Sequence, residues 1–141
     1  VGLDVEAHPA PDTMIWRKFV DLVAFSGVTC LARSPMGRVL ANPATADFMQ
    51  ALLRENVAVA RAEGIALPDD HVEQRLSFLC NLPAPAKSSM LMDLEAGKPL
   101  ELPWLAARIC EIGAGHGIDT PANRAVVAAL APFVHGRPDD D

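Results

Sequence analysis

The segment Met14-Ile-Trp-Arg-Lys-Phe-Val-Asp-Leu-Val-Ala-Phe-Ser-Gly-Val-Thr-Cys-Leu31 constrains the fold most, because its apolar residues fall on nearly every face of a helix. A helix that is greasy all round has no side to offer to water and belongs in the middle of a bundle. Asp12 reads as its N-cap, Ser26-Gly27 as a point where it can bend, and Ser34-Pro35 as its stop. A chain organised round such a helix needs other helices to cover it, and the remaining sequence supplies them.

Pro35 to Leu40 predicts a turn into a short helix, and Asn42-Pro43 a cap with proline at the first helical position. The next helix carries Phe48, Met49, Leu52, Leu53 and Val57 and ends at Gly64. Asp70 and Glu73 have capping-box spacing ahead of Val72, Leu76 and Leu79, and Pro83 and Pro85 close that helix. Ser88 to Gly97 reads as a serine-capped helix with a glycine stop. A turn at Gly97-Lys-Pro99 then leads past Glu101 to a helix over 103–112. Gly113 to Gly117 reads as a terminating loop, and Thr120-Pro121 starts a last helix carrying Val126, Val127, Leu130 and Phe133. No alternating strand pattern bounded by hairpin turns and no internal repeat is present. The expectation is a single all-α domain over 1–141, of six or seven helices, with a frayed tail at 136–141.

Half of the 141 residues are apolar and 21% are charged, enough for one real core. The net charge of −6, with Arg17–Lys18 the only adjacent basic pair, argues against a nucleic-acid partner. No apolar run reaches the roughly 18 residues that span a bilayer, so no membrane partner is expected. The N-terminus lacks the pattern of a signal peptide and begins without Met, so the chain reads as a piece of a longer protein. Cys30, Cys80 and Cys110 lie in apolar helical patterns and read as reduced core residues of a cytoplasmic protein. His8, His71, His116 and His135 have no metal-ligand spacing, so no metal is expected.

Three places carry side chains that could do chemistry. Lys18 sits in the most apolar helix, where burial would make an ammonium a readier proton donor, and Leu22 and Ser26 follow it on one stripe. The same pattern fits a lysine whose stem packs while its head reaches water. Glu101, just ahead of a helix, is either a carboxylate placed near a helix N-terminus or one offered to a hydroxyl or carbonyl in a cleft. Ser88 or Ser89 caps a helix, and either could also hold an anion there. Gly113-Ala-Gly115-His-Gly117 is like a dinucleotide-binding loop, yet it follows a helix, and helix termination explains it better.

Taken together the motifs resemble the C-terminal domain of ketopantoate reductases (2-dehydropantoate 2-reductases). Trp16-Arg-Lys18-Phe with Ala24-Phe-Ser-Gly-Val-Thr29 resembles the helix that opens that domain. Ser88-Ser-Met-Leu-Met-Asp-Leu-Glu-Ala-Gly-Lys-Pro-Leu-Glu101 resembles the family's most specific stretch. His116-Gly-Ile-Asp-Thr-Pro-Ala-Asn123 resembles the element before its last helix, and Pro35-Met-Gly37 stands where the family has a Pro-Asn-Gly turn. Order and spacing match over residues 12 to 134.

The resemblance implies a helical fold like the C-terminal domain of 6-phosphogluconate dehydrogenase, one half of a two-domain, NADPH-dependent reductase acting in pantothenate biosynthesis. The other half, an N-terminal Rossmann domain that binds NADPH, has no counterpart here, because no strand–GxGxxG–helix unit occurs in this chain. The resemblance makes Lys18 the general acid for the ketone oxygen and Glu101 the carboxylate that orients it. It makes Ser89 a ligand of the substrate carboxylate. Leu22 and Ser26 stand where the family places two substrate-facing asparagines, and Ala106-Ala107 where an Asn-Gly pair is common. Leu22 cannot hydrogen-bond, which suits ketopantoate's distal hydroxyl poorly and opens the way to a different 2-keto acid. The implied partners are a small 2-keto acid and the chain's own N-terminal domain, with room for a homodimer. Without the Rossmann half the chain is expected to be inactive. The alternative is a helical interaction module that has kept the fold and lost the reaction.

Overall fold

The structure, a computed structural model, describes residues 11–138. The helices are α1 (Pro11–Ala32), α2 (Met36–Ala41), α3 (Pro43–Ala62), α4 (His71–Cys80), α5 (Ser89–Glu95), α6 (Ala106–Gly115) and α7 (Pro121–Leu130). Short 3-10 turns cover Leu102–Trp104 and Ala131–Phe133, and no strand occurs among the described residues. The fold is all-α, as the periodicity predicts.

From Val20 onward α1 is the central strut, packed against α2, α3, α5 and α7, with Val20, Val23, Ala24, Val28 and Cys30 buried. Its first turns differ. Met14 and Ile15 are 50% and 66% exposed, and Trp16 and Phe19 stack edge-on with ring centres 5.4 Å apart. An apolar circumference thus covers two situations: a buried stretch within the bundle, and first turns where Met14 and Ile15 are exposed while Trp16 and Phe19 rest partly buried against the core. The helix runs unbroken through Ser26-Gly27. A Cβ on Gly27 would lie 3.3 Å from both Leu52 Cδ1 and Val126 Cγ2, so the small residue serves the close meeting of α1, α3 and α7.

Local signals explain most helix ends. The Asn42 side chain accepts from Ala44 N at 3.0 Å, and Ser88 Oγ accepts from Leu91 N at 3.1 Å. A Cβ on Gly37 would fall 2.7 Å from Ala84 Cβ, and Gly37 N instead donates to Ala84 O at 2.9 Å. The Pro-Met-Gly turn therefore needs its glycine, and Met36 beside it is a core residue.

Some expectations need correction. Asp12 lies inside the first turn of α1, which begins at Pro11, and so is not its N-cap. Asp70 stands at the N-cap of α4 but accepts from Gln74 Nε2 at 2.9 Å and leaves the backbone uncapped. The single helix expected over 103–112 is a 3-10 turn and then α6, divided at Leu105, whose φ and ψ of −110° and −102° are not helical. α6 then continues to Gly115, through part of the expected loop. Cys80 is exposed, whereas Cys30 is buried and Cys110 half-buried, all three as free thiols. Burial pushes the Cys30 thiol up to about 11, with the neighbouring Ser88 hydroxyl opposing that shift. Of the expected frayed tail, Gly136 is buried and Arg137 N donates to Gly97 O at 3.1 Å; residues 139–141 lie outside the described residues.

One buried polar cluster ties the bundle together. α7 starts with a proline, and the Thr120 side chain does not cap it. Glu55 of α3 does so, accepting from Ala122 N at 2.7 Å and Asn123 N at 2.9 Å. Its carboxylate also meets the positive end of the α7 dipole. Asn123 Nδ2 donates to Glu55 Oε2 at 2.7 Å and to Asn56 Oδ1 at 3.0 Å; Asn56 Nδ2 donates to the Val20 carbonyl at 3.0 Å. Asn123, from the motif ahead of the last helix, is thus part of a clasp between α1, α3 and α7.

Candidate functional site

α1 presents Arg17, Lys18, Asp21, Leu22 and Phe25 at helical spacing on one stripe. α4 and the turn after it present Arg75, Phe78, Leu79 and Leu82 at the same kind of spacing. The two stripes face each other across an open groove of about 460 Å³. The Arg75–Asp21 pair joins the two sides, at 2.8 Å from Nε to Oδ1 and 2.6 Å from Nη2 to Oδ2. Arg75 also lies over the Phe78 ring, 4.4 Å from its centre, which fixes that ring as one wall.

The charges divide unevenly. Burial pushes the Asp21 carboxyl up, while the adjacent Arg75 guanidinium pulls it back down. Arg75 is thereby committed to Asp21. Arg17 and Lys18 have no ion-pair or hydrogen-bond partner among the described residues, so the groove keeps two uncompensated cations above an apolar floor. His71, in the first turn of α4, is 2% exposed with neither ring nitrogen hydrogen-bonded among the described residues. Burial lowers its pKa, and nearby Asp21 opposes that shift.

Lys18 and Leu22 are therefore brought together, with Lys18 exposed; the burial expected from so apolar a helix does not reach it in this chain. Ser26 lies further along α1, 1% exposed, its hydroxyl without a hydrogen-bond partner among the described residues. Ser88 is the capping serine and also meets Thr29 Oγ1 at 2.7 Å. Thr29 donates to the Phe25 carbonyl at 2.7 Å, so Ser88 is the donor in the hydroxyl pair. Ser89 is left outside this network, exposed in the first turn of α5. Glu101 is exposed at the start of the 3-10 turn, near the 74% exposed Trp104, and its carboxylate has no partner among the described residues. Ser26, Ser89 and Glu101 do not line the groove. Arg17, Asp21, Arg75, Phe78 and Leu82 were not singled out from the sequence. The spacing of 75, 78, 79 and 82 was a readable signal for a helix face, but not for what that face meets.

Among the described residues no cluster of His, Cys, Asp and Glu is arranged to hold a metal, and no helix is long and apolar enough to cross a membrane. The Gly113–Gly117 run lies at the end of α6, where helix carbonyls point outward, not at a helix start offering N–H groups, so it acts as a helix end and not as a phosphate-binding loop.

The profile of the family described as ketopantoate reductase PanE/ApbA, C-terminal, matches residues 12–133. The 2-dehydropantoate 2-reductase of Caulobacter vibrioides is 37% identical over 128 residues, 89% of this chain and 43% of that protein. A PanE/ApbA-family ketopantoate reductase from Ralstonia eutropha JMP134 superposes with a TM-score of 0.83 at 30% identity, over 94% of this chain and 44% of its own. A dimeric ketopantoate reductase from Staphylococcus aureus shares the fold, with a TM-score of 0.86 at 23% identity over 94% of this chain and 46% of its own. The chain spans less than half the length of each of these relatives.

Proposed function

The chain belongs to the ketopantoate reductase family, matching its C-terminal part, and we propose that it forms the substrate-binding, proton-donating side of a 2-keto-acid reductase. The observation that carries this reading is Lys18, exposed and without a counter-ion among the described residues, at the rim of the α1/α4 groove and within the family's matched span.

As a ketone becomes an alcohol, its oxygen gathers negative charge and takes up a proton. The Lys18 ammonium both stabilises that charge and donates the proton, the role its position in the Trp-Arg-Lys motif implies. Glu101, unpartnered and exposed, hydrogen-bonds the reacting region and orients the lysine once substrate is bound. Ser89 binds the substrate carboxylate through its outward hydroxyl, and Leu22 contacts the substrate's carbon skeleton. Ser26, in this reading, backs the same helix face from within. The reductant, NADPH by family resemblance, is not held by residues of this chain and belongs to a dinucleotide-binding half to which the chain is joined. That half and a second copy of the chain are the proposed protein partners, and ketopantoate is the first substrate to try.

The test is NADPH oxidation by the chain joined to a dinucleotide-binding half of the family, with ketopantoate beside other 2-keto acids. Turnover that Lys18→Ala reduces by orders of magnitude is expected, and the 141-residue chain alone should show none. Silence with every acid would favour the second reading, a non-catalytic helical module, to which Leu22 and Met36 lend weight. Equal turnover by the Lys18→Ala protein would remove the proton-donor assignment.

A further inference from the structure

We infer that the α1/α4 groove selects 2-keto acids with an apolar body, the selection being made by Leu22, Phe78 and Leu82; this rests on the proposed role of Lys18. The groove's volume, about 460 Å³, lies in the range of small-molecule sites. Its lining combines unpaired cations with an apolar surface. Lys18 and Arg17 are available, while Leu22, Phe25, Phe78, Leu79 and Leu82 make up the rest apart from the Asp21–Arg75 pair. That pair is mutually satisfied, and Ser89 and Glu101 lie outside the lining, so the part of a ligand lying within the groove meets no uncommitted neutral hydroxyl or amide side chain.

An anionic head with a hydrocarbon body matches this combination. Its oxygens meet the cations, and its branch or ring lies on the leucines and phenylalanines. Phe78 is 50% exposed, and Arg75 stacked upon it holds its ring against the groove, so a ligand there would cover a surface that water now wets. Each methylene so covered is worth up to roughly fourfold in affinity. A distal hydroxyl pressed on the same surface loses its hydrogen bonds to water and gains none, which costs about tenfold. Pyruvate is too short to use the wall, and ketopantoate brings a hydroxyl that the wall does not answer.

The experiment is methyl-detected NMR titration of this chain with 4-methyl-2-oxopentanoate, phenylglyoxylate, pyruvate and ketopantoate, in the unaltered protein and in Phe78→Ser. Turnover is measured in parallel with the chain joined to a dinucleotide-binding half. The two apolar acids should shift the Leu22, Leu79 and Leu82 methyls and bind about tenfold or more tightly than pyruvate and ketopantoate. Phe78→Ser should erase most of that preference, while pyruvate changes by less than about twofold. In turnover, Leu22→Asn should move kcat/KM toward ketopantoate. Ketopantoate binding as tightly as the apolar acids, an unchanged preference in Phe78→Ser, or no shift at the groove methyls would overturn the inference. The two failures separate cleanly. Loss of turnover in Lys18→Ala with no role for Phe78 would discard the selectivity and keep the reductase reading. Selective binding at the groove together with full turnover in Lys18→Ala would discard the proton donor.

Discussion

The clasp at Glu55, Asn56 and Asn123 and the groove at Lys18 and Arg75 both lie along α1, and both are built from polar side chains among apolar ones. In the clasp nearly every donor has its acceptor: Glu55 takes three N–H groups, and Asn56 passes the chain on to Val20 O. In the groove one pair, Asp21 and Arg75, is closed, whereas Arg17 and Lys18 are left open toward solvent. Burial made the difference. A buried polar group must find a partner within the fold, so its chemistry is spent on stability, while one at a groove can keep its chemistry for a ligand.

That contrast can be broken by substitution, and the largest effect should be at Lys18. In the chain joined to a dinucleotide-binding half, Lys18→Ala should lower kcat by about two to four powers of ten, the usual range for losing a general acid. The urea midpoint of the chain should hardly move, since Lys18 is exposed. A large stability loss would mean that the groove, too, is structural.

Next come the clasp residues. Asn56→Ala and Asn123→Ala should each cost about 2–3 kcal/mol in urea unfolding, because each strands buried partners. Ligand-induced shifts at the groove methyls should persist in the folded protein. If they vanished, the clasp would be setting the pose of Lys18 through the Val20 carbonyl, and the two regions would be one.

Arg75 stands between the two cases. Arg75→Ala should cost about 1–2 kcal/mol, since it leaves the 18% exposed Asp21 without its partner and frees the Phe78 ring. It should also weaken binding of apolar acids, an effect on both readouts that no clasp residue should share.

The smallest effect concerns pH. Burial holds His71 below its ordinary 6.5, so between that value and its lower folded one the unfolded chain binds more protons than the folded chain. Stability is therefore intact above 6.5 and is lost as pH falls through 6.5 toward the folded value. Asp21, whose pKa burial raises from 3.8, has the opposite sign: its ionisation costs stability, and the cost is relieved only as pH falls through its raised value. Urea midpoints taken from pH 7 down to pH 5 should fall in the unaltered chain. In His71→Leu that slope should be shallower, and a slope left unchanged would show that His71 is not its source.

Helix positions were legible in the sequence because their signals are local. Asn42-Pro43 and Ser88 act within a few residues of where they stand. Asp70 is a local failure, having cap spacing but bonding Gln74, four residues on. Elsewhere a distant partner took over: α7 takes its cap from α3. The part Gly27 plays in close packing was not legible, because sequence does not reveal that Leu52 and Val126 would arrive against it. Half of the candidate site was readable for the same reason. Lys18 and Leu22 share one helix stripe, but pairing that stripe with Arg75, Phe78 and Leu82 depends on how two helices dock. Glu101 and Ser89 could be singled out from their places beside helix starts, but their particular substrate roles came from family resemblance alone.

The Glu55 cap also bears on the order in which the chain folds. α7 has 10 residues, too few to be stable in water alone, and its first turn is completed by a carboxylate 67 positions back in the chain. That carboxylate is useful only once α3 is formed and lying against α1. The last helix is thus timed by the first ones, and contacts so distant in sequence slow the final step relative to helix growth. In a refolding experiment, amide protection in α7 should appear after protection in α3, and Glu55→Ala should delay it further.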